Sequence, residues 1–266
     1  MDDFNLNKNN IIITGGGGFL ARSFSEKIIQ YNGNPILIDN NAEKLTGTKN
    51  YLKHKINFNV DTYKCNLSKE ESVKKLFEKL KKRYQSLDIL INNAAPNPTE
   101  NQLKKVDYNL DNFSIDTWNN HLNAGLTSAF LCSKYYGKLN NKNQRCVINI
   151  SSDLGIIAPN QNLYKTKKKV SYKPVTYSVM KHGIIGLTKY CSTFWIEKKI
   201  RCNALAFGGV ENNQSKEFLN KVNKLIPMGR LAKYNEYDST LIYMISEASS
   251  YMNGSVVIID GGRTSW

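Results

Sequence analysis

The sequence predicts an α/β protein with a doubly wound parallel sheet of mostly seven strands and helices on both faces. Three observations predict it. Short apolar runs rich in β-branched residues alternate with longer segments of helical period along the chain. A glycine cluster follows the first apolar run and opens a helical segment. No linker, internal repeat or low-complexity stretch divides the 266 residues, so residues 1–266 read as a single domain.

The elements follow in order. Residues 11–13, three isoleucines, form a buried strand, and residues 19–31 a helix. Residues 35–39 and 60–65 are the next strands. Residues 70–84 read as an amphipathic helix, with Val73, Leu76, Phe77 and Leu80 on one face and lysines on the other. A strand at 87–91 precedes a long helix at 115–139. A strand at 146–150 precedes a second long helix at 176–198. Strand 200–206, helix 235–246 and strand 255–259 complete the pattern. Residues 159–174 form an insertion too long for a tight connection, and loops of that length often carry function.

An apolar content of 41% is enough for a large core, and 22% charged residues fit an ordinary globular chain. The formal net charge of +15 raises the question of nucleic acid. The lysines are spread from end to end and no nucleic-acid motif accompanies them, so a solvated basic surface that can attract small anions is the reading. Cys65, Cys132, Cys146, Cys191 and Cys202 are odd in number and form no C-x-x-C pair, which argues against disulfides and zinc and fits a reducing compartment. His54, His121 and His182 make no metal-binding spacing. The first ten residues are polar and no apolar run reaches membrane-spanning length, so the expected location is the cytoplasm, with no membrane partner.

The run Thr14-Gly15-Gly16-Gly17-Gly18-Phe19-Leu20-Ala21 satisfies G-x-G-x-x-G/A from Gly16, with a strand before it and a helix after. Such a turn lets a pyrophosphate reach backbone N–H groups at the positive end of a helix. Four glycines are equally able to make a flexible turn. Asp39, at the end of the next strand, is placed to accept hydrogen bonds from ribose hydroxyls and to repel a 2′-phosphate, which favours NAD over NADP. The alternative is a surface aspartate capping a helix that starts at Ala42. Tyr177 and Lys181 lie four apart and share a helix face, so an ammonium can tune a phenol for proton transfer. Ser152, at the carboxyl end of strand 146–150, lies where ligands bind in parallel sheets.

Together these segments resemble the short-chain dehydrogenase/reductase family, a Rossmann-fold family of NAD(P)-dependent oxidoreductases. The resemblance runs from Ile11 to Trp266 and rests on Thr14-Gly15-x-x-Gly18, Asn92-Asn93-Ala94-Ala95, Ser151-Ser152, Tyr177-x-x-x-Lys181, Asn203-Ala204 and Asp260-Gly261-Gly262. It implies Tyr177 as acid/base, Lys181 as the group that lowers its pKa and holds the nicotinamide ribose, and Ser152 as the group orienting the substrate oxygen. It implies cofactor contacts at Gly15, Gly16, Gly18, Phe19, Leu20, Asp39, Asn66, Leu67, Asn93, Ala94, Ala95 and Val210. Asn66 stands where the family usually has an aspartate facing adenine. It also implies a homodimer or homotetramer, formed through the long helices and the last strand, with Trp266 either buried there or frayed.

The sequence departs from the family at three places. Gly125 takes the position of a relay asparagine, and Asn123, about 200° away on a helix, cannot replace it. Phe207 replaces a usual proline. The Ser152 to Tyr177 gap is long, the surplus falling at Gln161 to Lys173. That insertion holds Tyr164, Lys165, Lys167, Lys168, Lys169, Tyr172 and Lys173. It is either a cationic flap for an anionic, phosphorylated or nucleotide-linked sugar, or a solvated loop or subunit contact. Ser152-Asp153, the insertion and Gly208-Gly209-Val210 resemble a bacterial subgroup in surface or flagellar glycan biosynthesis. Two other functions stay open: a 3-ketoacyl or small-ketone reductase, and a dinucleotide-binding sensor or assembly subunit without turnover.

Overall fold

The computed structural model describes residues 3–103, 105–139, 145–165 and 170–266. Its centre is a parallel sheet of seven strands: β1 (Asn10–Thr14), β2 (Asn34–Asp39), β3 (Asp61–Lys64), β4 (Ile89–Asn92), β5 (Arg145–Ile150), β6 (Ile200–Phe207) and β7 (Val256–Ile259). They lie in the order β3-β2-β1-β4-β5-β6-β7. The order reverses beside β1, and a crevice opens there at the carboxyl ends of β1 and β4. Register is continuous, with Ile12 opposite Ile36 on one side and Leu90 on the other.

Side chains alternate across each strand and so feed two cores. Ile11 and Ile13 pack with Phe24 and Ile28 of α1 (Phe19–Gln30), Leu45 and Leu52 of α2 (Ala42–Ile56) and, further along the chain, Leu241 and Ile242. Ile12 points the other way, into a cluster with Val73, Phe77 and Leu80 of α3 (Glu70–Arg83). Each buried isoleucine or leucine contributes about 1.5–3 kcal/mol. A short α4 (Glu100–Leu103) precedes α5 (Ile115–Leu122) and α6 (Ser128–Tyr136). The second core is completed by Leu131 of α6 and Cys191 of α7 (Val175–Phe194), and α8 (Lys216–Val222) and α9 (Asp238–Ile245) finish the helices.

Several elements differ from the sequence-based expectation, among them α4 and α8, which no apolar period marks. Helix α2 starts at Ala42, where the sequence places the next helix, and runs to Ile56. Its fully buried positions are Leu45, Thr48 and Leu52, with Tyr51 and Ile56 packed partly against the same core, so the apolar period is faint. The long helix at 115–139 is interrupted by a π turn at Asn123–Thr127 and ends at Tyr136. The helix at 176–198 ends at Phe194, followed by a 3-10 turn at Ile196–Lys198.

The π turn holds Gly125, which is buried. A Cβ built there would lie 1.8 Å from Met180 Sδ. The thioether of α7 therefore fills the space a side chain at 125 would need. Asn123 is exposed, and its Oδ1 accepts a 3.2 Å hydrogen bond from Thr127 Oγ1.

Candidate active site

The first part of the site is the crevice beside β1. Gly15 has φ +66°, and a Cβ on it would lie 3.0 Å from Ala94 Cα and 3.1 Å from Asn93 Nδ2. Gly16 packs flat on β2, where a Cβ would meet Leu37 Cβ at 2.6 Å. Helix α1 then starts at Phe19 and Leu20 with Gly18 as its N-cap. No side chain caps it and no acid lies in its first turn. Its free N–H groups are therefore open to an anion.

Thr14 and Asn93 lock this loop to the one after β4. Thr14 Oγ1 accepts from the Asn93 and Ala94 N–H groups at 2.9 and 3.0 Å, and Asn93 Nδ2 donates to Thr14 O at 3.0 Å. Asp39 is held at the end of β2. Its Oδ2 accepts from Gly17 N–H at 3.1 Å and its Oδ1 from Asn41 N–H at 2.9 Å. Asn41, not Asp39, caps α2, through a 2.9 Å bond from Lys44 N–H. The cradle, the uncapped helix and the fixed carboxylate fit a dinucleotide.

Other predicted contacts lie around the same crevice. Leu67 is buried and Asn66 exposed. Asn66 Oδ1 accepts from Ser68 N–H at 3.1 Å and from Ser68 Oγ at 2.6 Å, so an adenine amino group would have to displace the serine hydroxyl. Ala95 is half-buried in the loop after β4. Val210 pairs with Ala232, and its carbonyl accepts from Gln214 Nε2 at 2.8 Å. Phe207 ends β6 with its ring stacked 4.6 Å from that of Tyr237, whose hydroxyl donates to Gly208 O. That contact sets the loop in place of a proline.

The second part of the site gathers around Tyr177 in the first turn of α7. Ser152, just past β5, lies beside the Tyr177 hydroxyl and favours its ionised form. Ser152 Oγ also donates to Asp153 Oδ1 at 2.7 Å and accepts from Leu154 N–H at 3.2 Å. Lys181 is buried, and its Nζ lies 5.8 Å from the Tyr177 ring centre and donates to Ile150 O at 2.7 Å. Burial pushes the Tyr177 phenol up to about 12, with Ser152 opposing and the Asp153 charge adding. Burial pulls the Lys181 ammonium down to about 7, and repulsion from Lys173 adds to this. In the protein alone the phenol is therefore protonated at neutral pH, ready to donate to a ketone oxygen.

Three residues that the sequence reading gave no role stand behind this triad. Asp153 accepts a 2.9 Å ion pair from Arg263, and both side chains are buried. The turn after β7 aims Arg263: Asp260 accepts from Gly262 and Thr264 N–H at 2.9 and 2.8 Å. Asn97 Oδ1 accepts from Lys173 Nζ at 2.7 Å. The signals for these were faint, a Ser-Asp pair and an Asp-Gly-Gly turn with nothing to link them.

The insertion is more than an open flap. Gln161 clasps the Lys173 backbone, accepting from its N–H at 2.9 Å and donating to its carbonyl at 3.3 Å. Leu163 is buried with Val222, Ile226 and Leu231. Lys173 is buried with its Nζ 3.9 Å from the Tyr177 ring centre, and Lys165 is exposed. Lys167, Lys168 and Lys169 lie outside the described residues. A cavity of about 370 Å³ lined by residues 105–108 and 170–172 adjoins the insertion but includes none of Ser152, Tyr177 or Lys181.

A cradle at the switch point and a Ser-Tyr-Lys set at the ends of β5 and α7 define a dinucleotide-dependent oxidoreductase. The comparisons agree. The family model described as enoyl-(acyl carrier protein) reductase matches residues 20–264. The chain is 26% identical to a 3-oxoacyl-[acyl-carrier-protein] reductase of Aquifex aeolicus, over 94% of this chain and 95% of that one. It is 25% identical to the post-translational flagellin modification protein A of Campylobacter coli, over 95% and 96%. A crystal structure of a gluconate 5-dehydrogenase from Burkholderia cenocepacia, in complex with NADP and tartrate, superposes with a TM-score of 0.82 at 23% identity, covering 100% of this chain and 98% of that one. The chain belongs to the short-chain dehydrogenase/reductase family and is an NAD(P)-dependent oxidoreductase of the kind that acts on CH–OH groups.

Proposed function

We propose that this chain interconverts a secondary alcohol and a ketone on a sugar-like substrate, with NAD as the preferred dinucleotide. The observation that carries the reading is the Tyr177 phenol, set beside Ser152 and one helix turn from the buried Lys181, whose Nζ is 5.8 Å from its ring centre. NAD, when bound, would supply the hydride acceptor and a positive charge at the oxidised ring. Ser152 orients the substrate oxygen, and Tyr177 gives or takes the proton. Ser152 has a single hydrogen, now directed to Asp153, which can turn to the phenolate once that proton has left. The glycine loop, α1 and Asp39 hold the adenosine side, with Asn66, Leu67, Asn93, Ala94, Ala95 and Val210 along the cofactor. Asp39 supports NAD over NADP because its carboxylate ends β2 with no cation at Asn40 or Asn41.

Thermal shift with NAD⁺, NADH, NADP⁺ and NADPH tests this. NAD(H) is expected to raise the midpoint of wild type, and Asp39→Ala to lose that response. No shift from any dinucleotide at millimolar level would favour the sensor or assembly reading. A 3-ketoacyl substrate remains the second enzymatic reading, supported by the Aquifex relative.

The expected assembly is a homodimer or homotetramer in the cytoplasm. The stacked, exposed Tyr190 and Phe194 on α7 and the exposed Ile258 on β7 support association through those elements. Among the described residues no helix is long and apolar enough to cross a membrane.

A further inference from the structure

Among the described residues, Lys173 is a buried cation with no ion pair of its own. Its side chain is about nine-tenths buried, and its Nζ makes one hydrogen bond, to the neutral Asn97 amide. Of three ammonium hydrogens, two have no partner among the described residues. The nearest carboxylate, Asp153, is already occupied by Arg263, Ser152 and the Leu154 N–H. Cation–π contact with Tyr177 at 3.9 Å offsets only part of the desolvation. Burial pulls the ammonium down to about 8, with Asp153 opposing and Arg263 adding. A charge held this way, over the ring that exchanges the proton, is an arrangement that an incoming anion would complete.

We propose that Lys173 anchors a carboxylate carried by the substrate a few bonds from the reacting carbinol, so that the substrate class is a hydroxy acid and its keto acid. This deepens, and rests on, the oxidoreductase reading above. The contact lies on the catalytic ring itself, so the charge belongs near the carbinol and not at the far end of a nucleotide or an acyl carrier. A carboxylate fits better than a phosphate. One ammonium balances one negative charge, and the guanidinium that would grip a phosphate in bidentate fashion, Arg263, is locked on Asp153. The insertion builds the anchor: Gln161 holds the Lys173 backbone while Asn97, from the loop after β4, holds its tip.

The test is calorimetric titration of the NADH-loaded protein, where no turnover occurs, with L-lactate, L-tartrate and D-gluconate. The neutral counterparts propane-1,2-diol, threitol and sorbitol, and inorganic phosphate, are titrated alongside. At least one carboxylate is expected to bind, with its neutral counterpart and phosphate at least about ten-fold weaker. Lys173→Met is expected to weaken that carboxylate by about 10- to 100-fold, and Lys173→Arg to retain most of the affinity. NADH affinity is expected to be unchanged in both, and Lys173→Met to melt no lower than wild type, because an apolar isostere replaces an unpaired buried charge. The proposal is overturned if no carboxylate separates wild type from Lys173→Met, or if phosphate or the neutral polyols bind as tightly. If wild type binds neither NADH nor NADPH, the oxidoreductase reading falls instead, and the same titrations on the protein alone still decide whether Lys173 holds a carboxylate.

Discussion

The two halves of the proposed site are built by different means. The cofactor half is local and made largely of backbone. Gly15, Gly16 and Gly18 lie within four consecutive residues, and α1 offers uncapped N–H groups. The substrate half is assembled from side chains far apart in sequence. Arg263 reaches Asp153 across 110 residues, and Lys173 reaches Asn97 across 76. A backbone cradle suits a ligand whose phosphates are fixed in position. Side-chain networks on loops can be rebuilt for a new substrate while the sheet stays as it is.

Removing the phenol should separate the halves most sharply. Tyr177→Phe is expected to lower turnover by about 10²–10⁴ while NADH affinity and melting temperature stay near wild type. Loss of dinucleotide binding in this variant would mean that the halves are not independent. Next in size is Arg263→Ala, which leaves the Asp153 carboxylate buried without its partner. Denaturant unfolding should show a loss of about 3–5 kcal/mol. A loss below about 1 kcal/mol would show that Asp153 finds another partner, with Lys173 the nearest cation. In the cofactor half, Gly16→Ala should cost about 1–3 kcal/mol, since the new Cβ meets Leu37 at 2.6 Å. It should also weaken NADH without changing how the loaded enzyme discriminates among acids.

The smallest effect is on pH. Tyr177 and Lys181 from α7, Asp153 and Arg263 all surround Lys173. Its folded pKa of about 8 lies below the ordinary lysine value, so its charge is lost as pH rises through 8. Between about 8 and 10.5 the unfolded chain binds more protons at this residue, and its contribution to stability rises with pH. Wild type should therefore gain stability relative to Lys173→Met across that window, and carboxylate binding should weaken over the same range. Parallel stability curves for the two proteins would contradict the buried, charged Lys173.

The same contrast explains what was legible in the sequence. The isoleucine run of β1, the glycine cluster and the four-residue spacing of Tyr177 and Lys181 are local signals, and the structure places each where the pattern implies. The seven strands and their parallel order follow from the βα alternation. The start of α2 at Ala42 is legible, but its length is not, because Thr48 sits between Leu45 and Leu52 on its buried face. Lys173 was read only as one lysine of a flap, since its burial depends on Gln161 and Asn97, and no periodicity records such contacts. Arg263 was missed altogether, because its partner lies on the far side of the chain.

The π turn at Gly125 bears on how this chain could change over evolutionary time. Met180 Sδ occupies the volume of any side chain at 125, although the two residues are 55 positions apart. An asparagine at 125 would require the flexible Met180 thioether to swing aside, and shortening Met180 alone would open a void beside the glycine. The two positions are therefore coupled through one small volume. A chain with asparagine at 125 should carry a smaller or reoriented side chain at 180, which makes the pair a natural place to look for covariation.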